Sequence, residues 1–169
     1  KYTRGAGAVV AVLDTGITPH PEFDGQLLPG YDFISDVSTA RDGDGRDADP
    51  SDPGNWSDPG DCGAAEGRRS TWHGTHMAGL VVARAGNRPG IVGLAPEAKL
   101  IPVRVLGRCG GRASDLADAI VWASGGHVPG VPPLDRRADV INVSMGSSGP
   151  CVSSLRSAIE DARSRGSVV

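Results

Sequence analysis

The residues best placed for chemistry are Asp14 and His73. Asp14 ends the apolar run Ala8-Val9-Val10-Ala11-Val12-Leu13 and starts the turn Thr15-Gly16. His73 lies in Trp72-His73-Gly74-Thr75-His76-Met77-Ala78-Gly79-Leu80, where a loop becomes a helix. A helix start carries the positive end of the dipole and favours neutral imidazole, the form a general base needs. An acid that orients a histidine, and a histidine that activates a nucleophile, are two parts of a catalytic triad. Each also has a plainer reading: a strand-end acid capping a turn, and a satisfied or exposed loop histidine. Asp-Thr-Gly is, besides, the signature of aspartic proteases. The order acid then base, with these flanks, favours the triad. His76 does not make the helix a zinc site, because that pattern needs two histidines four apart with a glutamate between. Gly79 costs the helix about 1 kcal/mol relative to Ala, which predicts close packing around Gly74, Ala78 and Gly79.

A second polar group lies within residues 35–70, a stretch with little periodicity that is rich in Asp, Gly and Pro. Carboxylates on a glycine-bent backbone suit a hard cation, which takes about six to eight oxygens, main-chain carbonyls included. The candidate metal set is Asp42, Asp44, Arg46, Asp47 and Asp49, with Gly43 and Gly45 between them, and the ion is calcium. A solvated acidic loop is the plain alternative. Arg46 and Asp47 break an EF-hand pattern, but a loop this long needs something to hold it. Cys62, Cys109 and Cys151 match no zinc spacing. One disulfide plus one cysteine with a partner elsewhere is the simplest reading, and it favours an oxidising compartment.

These groups need a scaffold, and 169 residues are enough for one domain with a real core. A net charge of −3 with scattered Lys and Arg gives no nucleic-acid footprint. No apolar run approaches the roughly 18 residues of a membrane span. The chain opens on Lys1 with no signal peptide, which reads as a processed or trimmed start. Strands are predicted at 8–13, 98–106, 138–144 and 167–169, with a short extended piece at 31–34. Helices are predicted from His73 to about Ala85, over 116–124 behind an N-cap at Ser114, and from Ser153 or Ser154 up to Gly166. Pro102 is the weak point of its strand. The alternation of strand and helix is that of a parallel α/β domain with right-handed crossovers, spanning 1–169. An acid at the carboxyl end of a central strand is where such sheets place functional groups.

Val12-Leu13-Asp14-Thr15-Gly16-Ile17 followed by His73-Gly74-Thr75-His76-Met77-Ala78-Gly79 resembles the subtilisin-like serine proteases, the subtilases. Gly93-Leu94-Ala95-Pro96, Val103-Arg104-Val105-Leu106-Gly107 and Ile141-Asn142-Val143-Ser144-Met145-Gly146 add to the resemblance, which runs in register over the whole chain. It implies a three-layer α/β fold with a parallel central sheet, of which this is the amino-terminal portion of the catalytic domain. It implies a serine endopeptidase with Asp14 as triad acid and His73 as general base. The family's Gly-Thr-Ser-Met-Ala stretch with the nucleophile is absent, so the serine is expected on the remaining carboxy-terminal segment, and this chain alone is expected to be inactive. Ser144 is not that nucleophile: its neighbours lack the first glycine of a nucleophile elbow, and the chain order is wrong for that hydrolase family.

The resemblance also implies where a peptide substrate lies. Gly110-Gly111 corresponds to one substrate strand and Ser144-Met145-Gly146 to another, with Leu106 and Met145 as apolar walls. Calcium is common in the family, and a second site would use the loop from Ala85 to Ile91, with Asn87 as a ligand. The disulfide-containing members are secreted bacterial enzymes made as zymogens with a pro-segment. By position near the active-site rim, Cys62 is expected to pair with Cys109, and Cys151 with a cysteine beyond this chain. A non-catalytic peptide-binding module that keeps the cleft is the alternative.

Overall fold

The computed structural model describes residues 3–87, 90–146 and 149–169. Val9–Asp14 (β1) is buried at every position, as expected of a run with no polar side chain before its last residue. Tyr31–Asp32 (β2), Lys99–Arg104 (β3) and Val140–Val143 (β4) complete a four-stranded parallel sheet in the order β2-β3-β1-β4. Val168 bridges in parallel to Val140, so the predicted last strand lies on the outer side of β4.

Side chains alternate across the sheet and define two cores. Val9, Ala11 and Leu13 join Ile101, Val103 and Ile141 under Ala119, Ile120 and Trp122. Val10, Val12 and Leu100 face the other way, towards Ala78, Val82 and Phe23. Val37–Ala40 forms a short helix (α1), and His73–Val82 (α2) covers the second face. Ala113–Ala123 (α3) and Ser153–Ser164 (α4) pack on each other over the first face. The result is the three-layer α/β arrangement, with α2 on one side of the sheet and α3 and α4 on the other.

Pro102 is tolerated for a geometric reason. Lys99 N donates towards β1, at Ala8 O, and Leu100 N donates away, at Gln26 O. By that alternation the nitrogen of Pro102 faces away from β1, where Gly30 packs against its ring and carbonyl. The helix ends differ from expectation. Ala113 starts α3 with Arg112 in the cap position, so Ser114 is not the cap. α4 does start at Ser153 as expected, with Val152 in the cap position and no side-chain cap. α2 stops at Val82, because the returning chain takes its last carbonyls: Leu94 N donates to Leu80 O, and Ala95 N to Val81 O. Gly93 permits that approach, since a Cβ there would lie 2.7 Å from Val81 O.

Candidate active site

Parallel strands deliver their carboxyl ends to one edge of the sheet. At that edge Asp14 is fully buried on the central strand. Its main-chain carbonyl accepts from Val105 N and Leu106 N, at 2.8 and 3.1 Å, which locks β1 to the segment leaving β3. Its side chain accepts from Thr15 N at 2.7 Å and faces His73 Nδ1, 2.9 Å from Oδ1 and 2.8 Å from Oδ2. A carboxylate only accepts, so Nδ1 carries the proton and the Nε2 lone pair is left free to take another. Among the described residues no side chain bonds Nε2, and the His73 side chain is 40% exposed while that of Asp14 is 1% exposed. The pair is therefore a buried acid holding an accessible base.

The start of α2 is placed from below. Thr15 Oγ1 accepts from Gly74 N at 2.9 Å and donates to Asp52 Oδ2 at 2.6 Å. Asp52, itself buried, also accepts from Gly54 N. A Cβ at Gly74 would lie 2.2 Å from Gly16 O, so only glycine lets the helix approach the turn after β1. Gly79 is different. Its Cβ would meet only Ile91 Cδ1, at 3.9 Å, and it lines a cavity of about 420 Å³ with Phe23, Trp72 and His76. The expectation of close packing holds at Gly74 and fails at Gly79, because Gly79 lies on the outward side of the helix. Trp72 precedes His73 with φ of 51°, a conformation a bulky residue rarely adopts.

The two candidate substrate stretches leave the strands on either side of β1. After β3, Leu106 is half-buried, and Gly107 and Gly110 exchange main-chain hydrogen bonds of 2.9 and 3.2 Å that close a turn before Gly111. After β4, Ser144 and Gly146 are exposed and Met145 packs against the core. Ser144 Oγ accepts from Asn142 Nδ2 at 2.8 Å.

Of the acidic loop, Asp42, Asp44 and Asp47 gather, with carboxylate oxygens all within 4.8 Å of one another. Burial raises the Asp47 carboxyl above its usual range, and the crowded Asp44 and Asp42 raise it further. Such crowding of hard oxygens fits a divalent cation, the ligand chemistry calcium takes. The side chains of the other two expected members lie elsewhere. Asp49 accepts from Ser51 N and Oγ, which lowers its carboxyl. Arg46 reaches α3, at 2.7 Å from both Asp115 and Asp118, so only its main-chain carbonyl is left for an ion. Asp42 also accepts from the buried Arg104, which bonds Asp32 at 2.5 Å.

In the second expected calcium loop Arg88 and Pro89 lie outside the described residues. Asn87 Nδ2 donates to Glu22 Oε1 at 2.9 Å, and Glu22 Oε2 is buried with no partner among the described residues. Glu22 and Asp52 are the polar residues that sequence reasoning missed. The signal for Asp52 lay in its burial, which residue order within an irregular loop does not reveal. Cys62 and Cys109 form a disulfide with Cα atoms 5.3 Å apart, and Cys151 is exposed with a free thiol.

Known proteins are similar to this chain. The chain is 54% identical over 166 residues to the extracellular protease of Xanthomonas campestris pv. campestris, covering 98% of this chain and 29% of that protein. It is 46% identical over 170 residues to the extracellular basic protease of Dichelobacter nodosus, covering 98% of this chain and 28% of that one. A solved protease structure from Pseudoalteromonas arctica superposes with a TM-score of 0.96 at 53% identity, covering 98% of this chain and 49% of its own. The chain thus spans less than a third of these two curated relatives and about half of the solved one. Residues 5–169 match the family described as the Subtilase family, and the chain belongs to it.

Proposed function

We propose that the complete protein is a secreted serine endopeptidase and that this chain supplies the acid and base of its triad. The observation that carries the reading is the buried Asp14 carboxylate against His73 Nδ1, with Nε2 open to solvent. In the cycle, His73 Nε2 takes the proton of a serine hydroxyl as the oxygen attacks the peptide carbonyl. Asp14 holds the imidazole in the right tautomer and stabilises the imidazolium. The same proton passes to the leaving amine, and His73 then activates the water that releases the acyl group. The serine belongs to a segment outside residues 1–169, and this chain without it does not turn over peptide bonds.

The substrate is an extended polypeptide, lying between Leu106 with Gly110-Gly111 on one side and Ser144-Met145-Gly146 on the other. Calcium bound by Asp42, Asp44 and Asp47 holds the long loop that leads to His73. Secretion is supported by the extracellular relatives and by the disulfide.

The test is hydrolysis of an internally labelled polypeptide by the complete, processed protein, with and without a serine-directed sulfonyl fluoride. Inhibitor-sensitive internal cleavage is expected. A processed protein that binds the peptide without cleaving it is a binding module, and the reading fails.

A further inference from the structure

The turn at residues 107–110 carries the candidate substrate edge, and it is held from outside. Arg108 N donates to Thr39 O at 2.9 Å, and Arg108 also pairs with Asp61 at 3.2 Å. Cys109 is disulfide-bonded to Cys62, one residue after Asp61. Both half-cystines adopt the left-handed backbone region, with φ of 57° at Cys62 and 67° at Cys109, and Gly110 follows with φ of 107°. A residue with a Cβ keeps such a conformation only when its surroundings impose it. Cys109 is exposed and Arg108 half-buried, so side-chain packing imposes little at the tip of the turn, and the cross-link adds a covalent constraint to the main-chain and Asp61 bonds that hold it. Asp61 is a shared anchor, since Arg41 also approaches it, at 3.6 Å.

We propose that the Cys62–Cys109 disulfide is a positioning element for substrate: it holds the turn so that Leu106 and Gly110-Gly111 present their backbone to an extended peptide. It acts on affinity for long substrates and leaves proton transfer at His73 alone. The Asp14–His73 pair has its own anchors in Thr15, Gly74 and β1, and it meets the segment before the turn only at the Asp14 carbonyl, which accepts from Val105 N and Leu106 N. The inference rests on the protease reading and adds the part of the substrate site that a covalent bond sets.

The experiment compares the complete processed protein with two double variants, Cys62→Ala with Cys109→Ala and Cys62→Gly with Cys109→Gly. Both lose the cross-link, but glycine accepts the left-handed backbone and alanine does not. Steady-state kinetics are measured on an extended peptide and on a small single-residue ester that touches only the reacting groups. For the peptide, KM is expected to rise about tenfold (about 1.4 kcal/mol) in the alanine pair. The glycine pair should rise about threefold, with kcat and all ester kinetics unchanged. Peptide and ester kinetics that change together, or not at all, overturn the proposal. Should the variants fail to fold, the wild-type protein is treated with a dithiol reductant and then alkylated. Each disulfide takes two electrons and two protons to become two thiols, as the reductant closes to a cyclic disulfide. Mass mapping confirms opening of Cys62–Cys109, and the same KM criterion applies. A wild-type protein that cleaves neither substrate defeats the protease reading instead, which keeps the two failures distinct.

Discussion

Two buried aspartates stand near the same edge of the sheet and do opposite things. Asp14 and Asp32 are both fully buried, each at the end of a strand, and each accepts a hydrogen bond from a main-chain N–H just downstream, Thr15 N for one and Ile34 N for the other. Asp14 faces an imidazole, whose proton can move. Asp32 faces Arg104, a guanidinium, which can only donate. Burial pushes the Asp32 carboxyl up to about 7, and Arg104 and the Ile34 N–H pull against it. The partner, more than the burial, separates the acid proposed to act in catalysis from the one that holds the fold. Access matters as well: His73 is 40% exposed, whereas Arg104 is 1% exposed.

Breaking the reactive pair should have the largest effect on rate. His73→Ala in the complete protein is expected to lower kcat by about a millionfold, the magnitude known for the equivalent loss in subtilisin. Asp14→Asn should lower it by about 10⁴-fold through the wrong tautomer. Single-turnover peptide hydrolysis measures both, and thermal midpoints should move little beside these losses.

Breaking the structural pair should invert that pattern. Asp32→Asn leaves Arg104 with one charged partner, Asp42, and is expected to destabilise the fold by about 3–5 kcal/mol. Denaturant unfolding measures this, and kcat per folded molecule should stay near that of the wild type. An Asp32→Asn protein that is stable but inactive would erase the distinction between the two acids.

The pairing of Asp14 with His73 was legible before any coordinates, and that of Asp32 with Arg104 was not. Asp14 and His73 stand beside an apolar strand and an abrupt helix start, so residue order alone carried the signal. Asp32 and Arg104 are 72 residues apart, and their pairing depends on β2 lying beside β3, which no local pattern states. The same limit applies in the acidic loop. Alternation of Asp and Gly pointed to a cation site, but Arg46 and Asp49 turned to α3 and Ser51, partners set by the folded path of the loop. The sheet was readable because buried parallel strands are continuous apolar runs. Helix ends were less so, because α3 and α4 start without side-chain caps.

Cation removal gives a smaller effect that probes the loop between Asp32 and His73. If calcium occupies Asp42, Asp44 and Asp47, a chelator should lower stability by about 2.7 kcal/mol relative to calcium at a hundred times its dissociation constant. Asp44→Asn should remove most of that response. Calorimetric melting with and without calcium measures it, and a chelator-insensitive midpoint would leave the loop without its ion.

The smallest effect concerns Asp61. The Asp58 N–H, and then Arg108, hold its carboxyl below the usual range. A lowered folded value means that the contribution is present above the unfolded pKa and is lost as pH falls through the folded value. Acidification below the ordinary carboxylate range should therefore loosen the 58–63 segment first. Amide exchange at Cys62 and Gly63 as a function of pH follows it, and Asp61→Asn should flatten the response.

In the proposed enzyme His73, held by Asp14, activates a serine outside residues 1–169. A fluorophosphonate probe on the complete processed protein tests it most directly, with the labelled residue mapped by mass spectrometry. Wild-type protein should be labelled at one serine beyond Val169, and His73→Ala should lose the label while keeping its fold. Labelling that persists in His73→Ala, or that falls on Ser144, would contradict the account.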